Sequence, residues 1–353
     1  MISPIWLMAQ PCQKDIPSIS ALDVEKNYEA YITSVASLIH HTVPVVIHIV
    51  SAQSQDKAAI LSALEDINTM LSDTPGCGIQ YATAPNISLC MAQQNICGDA
   101  SEGISYYDEH NLSDFDPCTE ELALKSLPRI SDDPYPTYHY FNIYLVDEIC
   151  PSCETFGCAA AGYSSMPYDM GKITDGMVLE IRDWLGDCDA RKNILHELGH
   201  YLGLFHTFNG GCKNDNCLVD GDKVCDTPSE YMPLAIGNHP CLSGEAENSC
   251  NTDVNTSDVN NPYTTDQNDP DDNLMNYTPV SCTNTFTTGQ VYRMHYILDE
   301  IRVGLNSETS CVAPCDEDIV WDVSADYLQV NPNESFTITN NTLADSFVWQ
   351  VEG

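Results

Sequence analysis

Positive charge is what this sequence has least of. Lys and Arg together number 13 against 52 Asp and Glu in 353 residues, a formal net charge of −39. So acidic a surface repels phosphate backbones, which argues against nucleic acid as a partner. Anionic membrane surfaces are disfavoured for the same reason, whereas basic or neutral partners and divalent cations are compatible. Long apolar runs are missing too. No segment reaches the ~20 apolar residues that a membrane span needs. There is no internal repeat of roughly 20–50 residues, so a solenoid or propeller is not indicated. Hydrophobic residues still make up 43% of the chain, enough for a sizeable core.

Cysteine is abundant. The 17 cysteines run from Cys12 to Cys315 rather than clustering in zinc-ribbon pairs. Most are read as disulfides formed in an oxidising compartment, with pairing that sequence cannot supply. An odd count leaves at least one thiol unpaired within the chain. The apolar start, Ile2 to Ala9, reads as the tail of a secretory signal peptide, residues 1–9, and so predicts a secreted, extracellular protein. Residues 10–42 read as a linker or pro-segment.

Val43–Val50 (VPVVIHIV) predicts a buried strand. From Asp56 to Leu71, the residues Ile60, Leu61, Leu64, Ile67 and Leu71 share one helical face. A strand followed by an amphipathic helix opens an α/β layer. Residues 74–135 carry few periodic signals. Phe141–Val146 and Met177–Ile181 predict further strands, and Ala190–Leu204 predicts a helix that Asp187 or Asp189 could cap. Residues 210–273 are loop-like, and Gln290–Leu305 predicts a closing helix. Cys311 and Cys315 bracket a proline and mark a boundary. The expected fold class is α/β (α+β).

The chemistry concentrates in His196-Glu197-Leu198-Gly199-His200-Tyr201-Leu202-Gly203-Leu204-Phe205-His206. Residues four apart on a helix lie one turn above each other, so His196 and His200 can offer two imidazoles to one metal. Gly203 lets the chain leave the helix, and His206 can then return as a third ligand. Three nitrogens plus a water is the open arrangement of catalytic zinc, whereas a structural site uses four protein ligands. Glu197 stands beside the first ligand, within reach of a metal-bound water as general base.

HExxHxxGxxH is the metzincin signature, and the chain resembles that clan of metalloproteases. Asn273-Leu274-Met275-Asn276-Tyr277 resembles the metzincin Met-turn, in which the methionine, here Met275, floors the metal histidines. The narrower resemblance is to the pappalysin family. It rests on His206-Thr207-Phe208, on Asp222-Lys223-Val224-Cys225-Asp226-Thr227-Pro228, on Met275-Asn276-Tyr277-Thr278, and on Phe286-Thr287-Thr288-Gly289-Gln290 with Arg293-Met294. Val43–Val50 and Gly162-Tyr163-Ser164-Ser165-Met166-Pro167 also fit, so it spans roughly residues 43–305.

The resemblance implies a metzincin-type catalytic domain over 43–310, a secreted endopeptidase acting on proteins or peptides, and one catalytic zinc. Within that domain it implies a mixed twisted sheet with the helix 190–204 in an upper subdomain, 43–203, and a loop-rich, disulfide-stapled lower subdomain, 204–310. It makes Tyr277 a candidate donor to the developing oxyanion; the alternative is a structural tyrosine beneath the site. Asp220, Asp222 and Asp226, with the Thr227 carbonyl, supply hard oxygen ligands for a structural calcium, and the resemblance aligns Asp222 and Thr227 with such a site; the alternative is a solvated acidic loop. Thr278, Pro279 and Val280 would wall the pocket for the residue after the scissile bond. They carry no carboxylate, so a neutral or apolar residue is expected there.

Other motifs carry less. Asp253-Val254-Asn255-Thr256-Ser257 begins like an EF-hand loop, but Asp258 replaces the required glycine and Thr264 the required glutamate. Cys150-Pro151-Ser152-Cys153 has redox spacing without the thioredoxin context, so structural disulfides are preferred. Cys12 is a candidate for the odd thiol and for a latency switch on the zinc. Residues 316–353, with Ser346-Phe347-Val348-Trp349, resemble the opening strands of a truncated PKD-like β-sandwich. The rival reading from another class is a non-catalytic secreted surface or adhesion protein with structural zinc, which Glu197 argues against. A thermolysin-like protease is disfavoured by Gly203 and His206. The sequence assigns no oligomeric state.

Overall fold

In a computed structural model, the residues described are 20, 24–35, 37–107, 112–129, 135–149, 162–233, 239–255, 257–306 and 308–314. The chain divides into Met1–Pro314 and Cys315–Gly353. The expectations for 1–9, for Cys12, for Cys150 and Cys153, and for the β-sandwich at 316–353 lie outside the described residues.

A mixed six-stranded sheet organises the first unit. Its centre is β1 (His41–Val50), which is almost wholly buried because VPVVIHIV is apolar on both faces. Two parallel strands share one of its sides, β2 (Ile87–Met91) along His41–Val45 and β3 (Ile104–Tyr107) along Ile47–Val50. The other side pairs in parallel with β5 (Phe141–Val146), and β5 pairs with β8 (Met177–Glu180). A three-residue strand, β7 (Gly162–Ser164), closes that end antiparallel to β8. A small parallel pair, β4 (Asp114–Phe115) with β6 (Glu148–Ile149), stands apart. Residues 74–135 therefore supply β2, β3 and β4, strands too short to leave a clear alternation.

Helices cover the sheet. The first, α1 (Tyr28–Ser34), lies within the stretch read as linker or pro-segment, and its Tyr28 is buried. Asp56 caps α2 (Lys57–Met70), whose Ile60, Ala63, Leu64 and Ile67 enter the core as the apolar face requires. Further on come α3 (Glu121–Ser126) and α4 (Ile181–Trp184). Trp184 anchors α4 to α2 by donating its indole N–H to the Ile60 carbonyl at 3.1 Å.

The helix that carries the zinc motif is α5 (Cys188–Tyr201). Of the two cap candidates the structure uses Asp187, whose carboxylate accepts from the amides of Asp189 and Ala190. Ile194, Leu195, Leu198 and Tyr201 face the core, where Tyr201 stacks on Phe141 of β5 with centroids 3.8 Å apart. The closing helix is shorter than the periodicity suggests. It runs as α6 (Thr288–Tyr296) behind a Thr287/Gln290 capping box, then widens into a π turn over Ile297–Ile301. The Arg302 amide reaches back five residues to the Ile297 carbonyl, and Ile297 packs where a Cβ on Gly203 would stand. The π turn is the cost of that close approach.

The described part of 210–273 is turns and irregular chain apart from one short 3-10 helix, Pro240–Ser243. A long irregular segment cannot bury much apolar surface, and covalent links compensate. Cys212–Cys250, Cys217–Cys225 and Cys241–Cys282 staple it, while Cys77–Cys188 and Cys90–Cys311 tie the sheet layer together.

Candidate active site

Hydrogen bonds on the far sides of the rings prepare the three histidines. His196 Nδ1 lies 2.7 Å from the Leu274 carbonyl, and His200 Nδ1 lies 2.8 Å from the Leu204 carbonyl. A carbonyl only accepts, so both Nδ1 atoms carry the proton and both Nε2 atoms present lone pairs. Those two nitrogens stand 3.1 Å apart, and His206 Nε2 lies 3.2 and 3.0 Å from them. Nitrogens sharing one zinc at ~2.0–2.1 Å in a tetrahedron are ~3.3 Å apart. Lone pairs packed so closely repel unless a cation joins them, so the triad fits a metal ion. Burial and mutual repulsion also hold the imidazoles in the neutral, ligating form. His206 is pushed down to about 3, mainly by burial and secondarily by His200.

The backbone around Gly203 makes this possible. Gly203 has φ +85°, a conformation other residues rarely adopt, and its amide bonds the His200 carbonyl. The chain turns so that the Leu204 carbonyl lies beneath His200 while His206 joins the other two rings. Arg293 of α6 holds the turn from behind, its Nε donating to the Gly203 carbonyl at 2.7 Å. Glu25 in turn grips the Arg293 guanidinium with both oxygens, at 2.7 and 3.1 Å. Neither Arg293 nor Glu25 was singled out for this role, because the contact joins residues far apart in sequence.

Met275 is fully buried beneath the histidines. A Cβ on Gly199 would lie 2.4 Å from its sulfur, so this glycine of the motif makes room for the methionine. The Met275 carbonyl also accepts from the Thr207 amide, which fastens the turn to the segment after His206. Tyr277 is 42% exposed, its ring 4.5 Å from that of His206 and 5.8 Å from that of His196, centroid to centroid. Burial pushes its hydroxyl up, and the negative charge of Glu197 adds to the shift. Glu197 lies beside β7, since a Cβ on Gly162 would be 3.4 Å from its Cγ. In the absence of a cation, burial pushes the Glu197 carboxyl up to about 8.

Residues 126–299 match the family model described as Peptidase_M43, pregnancy-associated plasma protein-A. The chain carries a pappalysin-family domain of the metzincin type. It is 30% identical over 155 residues to extracellular metalloprotease 1 of Coccidioides posadasii, covering 43% of this chain and 39% of that protein. It is 36% identical over 171 residues to an extracellular metalloprotease of Pyricularia oryzae, covering 48% of this chain and 51% of that protein. The chain thus spans about half or less of the length of these curated relatives. Its fold is similar to that of mature mirolysin from Tannerella forsythia in complex with a cleaved peptide. That likeness has a TM-score of 0.52 and 21% identity over 77% of this chain and 98% of the other. The family implies a catalytic zinc, and His196, His200 and His206 are a group that could hold it.

Elsewhere in the pappalysin domain the acidic stretch divides by role. Asp220 is paired with Lys213 and accepts the amides of Asp215 and Asn216. Asp226 receives the Thr287 hydroxyl at 2.7 Å and the Gly289 amide at 2.8 Å, so it caps the start of α6. Asp222 is buried, with Oδ1 on the Val224 amide. Its Oδ2 and the buried Thr227 hydroxyl have no partner of good hydrogen-bond geometry. Burial pushes the Asp222 carboxyl up to about 8, against opposing help from Val224 and Thr227. In the stretch that begins like an EF-hand, Asp253 accepts the amides of Ser229 and Gln267, a cross-link between loops.

After the Met-turn, Thr278 is buried with its hydroxyl on the Asp271 carbonyl. Pro279 and Val280 are partly buried, and the Val280 carbonyl accepts from Lys192 of α5 at 3.0 Å. A residue passed over in the sequence is Glu230. It is fully buried, bonds the Asn276 side chain at 3.1 Å, and so braces the Met-turn. Its position two residues after the Asp226-Thr227-Pro228 stretch was the available signal.

Proposed function

We propose that the chain is a secreted zinc endopeptidase acting on protein and peptide substrates. The observation that carries this reading is the set of lone pairs that His196, His200 and His206 turn on one point beside Glu197. A zinc ion held by these three histidines would supply Lewis-acid polarisation of a carbonyl and lower the pKa of a bound water toward ~7. Glu197 would take a proton from the attacking water at its carboxylate and pass it to the leaving amine. A cation held by the three histidines would favour the ionised form of the Glu197 carboxyl, the form that accepts a proton. Tyr277, half exposed above His206, donates its hydroxyl to the carbonyl oxygen as charge develops there.

Substrate binding follows from the sheet. Among the described residues nothing pairs with the outer edge of β7, and its Gly162 adjoins Glu197. An extended peptide added along that edge brings its backbone past the base. Thr278, Pro279 and Val280 line the pocket beyond the scissile bond and favour a neutral or apolar side chain. Secretion is supported by the disulfides and by relatives named extracellular metalloproteases. The test is casein cleavage, with zinc measured on the same preparation. Cleavage should stop on removal of metal by phenanthroline and return with added zinc. Cleavage indifferent to the chelator would sink the reading.

A structural calcium at Asp222 and Thr227 is the finer part of the proposal. A buried carboxylate oxygen beside a buried threonine oxygen is a pair that a hard cation satisfies. Asp226, occupied with capping α6, contributes less than the sequence suggests. A calcium present at about a hundred times its dissociation constant stabilises by ~2.7 kcal/mol. A calcium-selective chelator should then lower the melting temperature by about 5 °C. Asp222→Asn should abolish that response. Melting unchanged by the chelator in the parent protein argues against the site.

A further inference from the structure

Outside the catalytic triad, a second group of ligands converges behind the sheet. His41 opens β1, and His295 and Asp299 lie one turn apart where α6 passes into its π turn. One ligand atom from each lies within 4.8 Å of the other two. His41 is 3% exposed and His295 fully buried, with ring centroids 4.9 Å apart.

The tautomer argument used for the catalytic histidines applies here. His295 Nε2 is 2.7 Å from the Pro85 carbonyl, so it carries the proton, and Nδ1 is left with a lone pair. His41 Nδ1 is 3.0 Å from Asn306 Oδ1. The Asn306 amide nitrogen donates to the Leu298 carbonyl at 2.8 Å, which fixes the amide orientation and makes Oδ1 an acceptor. His41 Nδ1 is therefore the protonated nitrogen, and Nε2 also presents a lone pair. That nitrogen lies 3.2 Å from Asp299 Oδ1, but without hydrogen-bond geometry. His295 Nδ1 likewise has no hydrogen-bond partner among the described residues. The other Asp299 oxygen accepts the Tyr31 hydroxyl at 2.5 Å.

Two imidazoles, each left with an unpaired nitrogen, and a carboxylate oxygen thus lie within one cluster. Each group is oriented from behind by a hydrogen bond, the arrangement that outer partners give to metal ligands. A proton on His41 Nε2 would answer Asp299 but leave His295 Nδ1 unsatisfied. One cation answers all three. We propose that His41, His295 and Asp299 form a second zinc site, structural rather than catalytic, that pins the start of β1 to the last helix.

Two nitrogens and one carboxylate oxygen suit zinc better than calcium or magnesium, which prefer all-oxygen sets. Burial lowers the pKa of both imidazoles, which keeps them in the ligating form at neutral pH. Asp299 is 25% exposed, which leaves access for a water as fourth ligand. The i, i+4 spacing of His295 and Asp299 repeats the geometry of the catalytic pair, but the third ligand lies more than 250 residues away. The site does not depend on the peptidase reading.

The experiment counts zinc per full-length chain by mass spectrometry after equilibration with micromolar free zinc. Two are expected in the parent protein, one in Asp299→Asn, and one in the double variant His196→Ala/His206→Ala. The double variant should also melt higher when zinc is added, a readout that needs no Asp299 substitution. One zinc in the parent with none left in the double variant overturns the proposal. So does an Asp299→Asn chain that still holds two. One zinc in both the parent and the double variant keeps this site and sinks the catalytic one, so the two readings fail separately.

Discussion

Replacing Glu197 with glutamine should leave zinc bound and stop cleavage. The two side chains are nearly isosteric, and no ligating nitrogen depends on the carboxylate. His196 and His200 are oriented by the Leu274 and Leu204 carbonyls, which the substitution does not touch. What disappears is the carboxylate that lies against β7, next in sequence to His196. General-base catalysis contributes about 10²–10⁴-fold, so kcat should fall by that factor or more. In free energy this is about 3–5 kcal/mol of lost transition-state stabilisation. Zinc content measured beside casein cleavage checks it. A variant retaining a tenth of the parent's kcat would remove Glu197 from the proposed role.

The cluster of three histidines was legible because its members are local. His196 and His200 share a helix face, and Gly203 with His206 follows within one turn and a bend, so spacing alone conveys the geometry. The central strands were legible for a related reason. VPVVIHIV and FNIYLV are buried on both faces and read as apolar runs. What stayed hidden depends on distant partners. The strand Gly162–Ser164 has three residues and no alternation, and only pairing to β8 makes it a strand. That Asp226 accepts the Thr287 hydroxyl and the Gly289 amide, some sixty residues on, has no signal in its own stretch of sequence. The closing helix reads as continuous to Leu305, because nothing in its own sequence announces that Ile297 must settle against Gly203. His41 carries no signal as a ligand at all until β1 brings it to His295.

Asp175 and Arg302 show the same dependence with the largest consequence for stability. Both side chains are completely buried. The guanidinium meets the two Asp175 oxygens at 2.9 Å each, donates Nε to the Tyr201 carbonyl at 3.0 Å, and lies 3.6 Å from the Tyr201 ring centroid. Asp175 also accepts the Ser165 hydroxyl at 2.6 Å. One ion pair therefore joins the turn before β8, the end of α5 and the exit of the π turn, immediately behind His200. Forming such a pair gains little over an apolar replacement, since desolvating two charges offsets their attraction. Breaking it is another matter. Arg302→Met would strand the Asp175 carboxylate in the interior and leave the Tyr201 carbonyl without its donor, a loss of about 3–5 kcal/mol. For a domain stable by ~5–15 kcal/mol this is a large fraction. Denaturant melts with disulfides intact should show it as a lower midpoint at unchanged slope. The double variant Arg302→Met/Asp175→Asn should recover part of the loss, because no charge is then buried alone. Additive losses in the two single variants would mean that the residues act separately. Zinc affinity should weaken in Arg302→Met as well, because the end of α5 that presents His200 is released from its clamp.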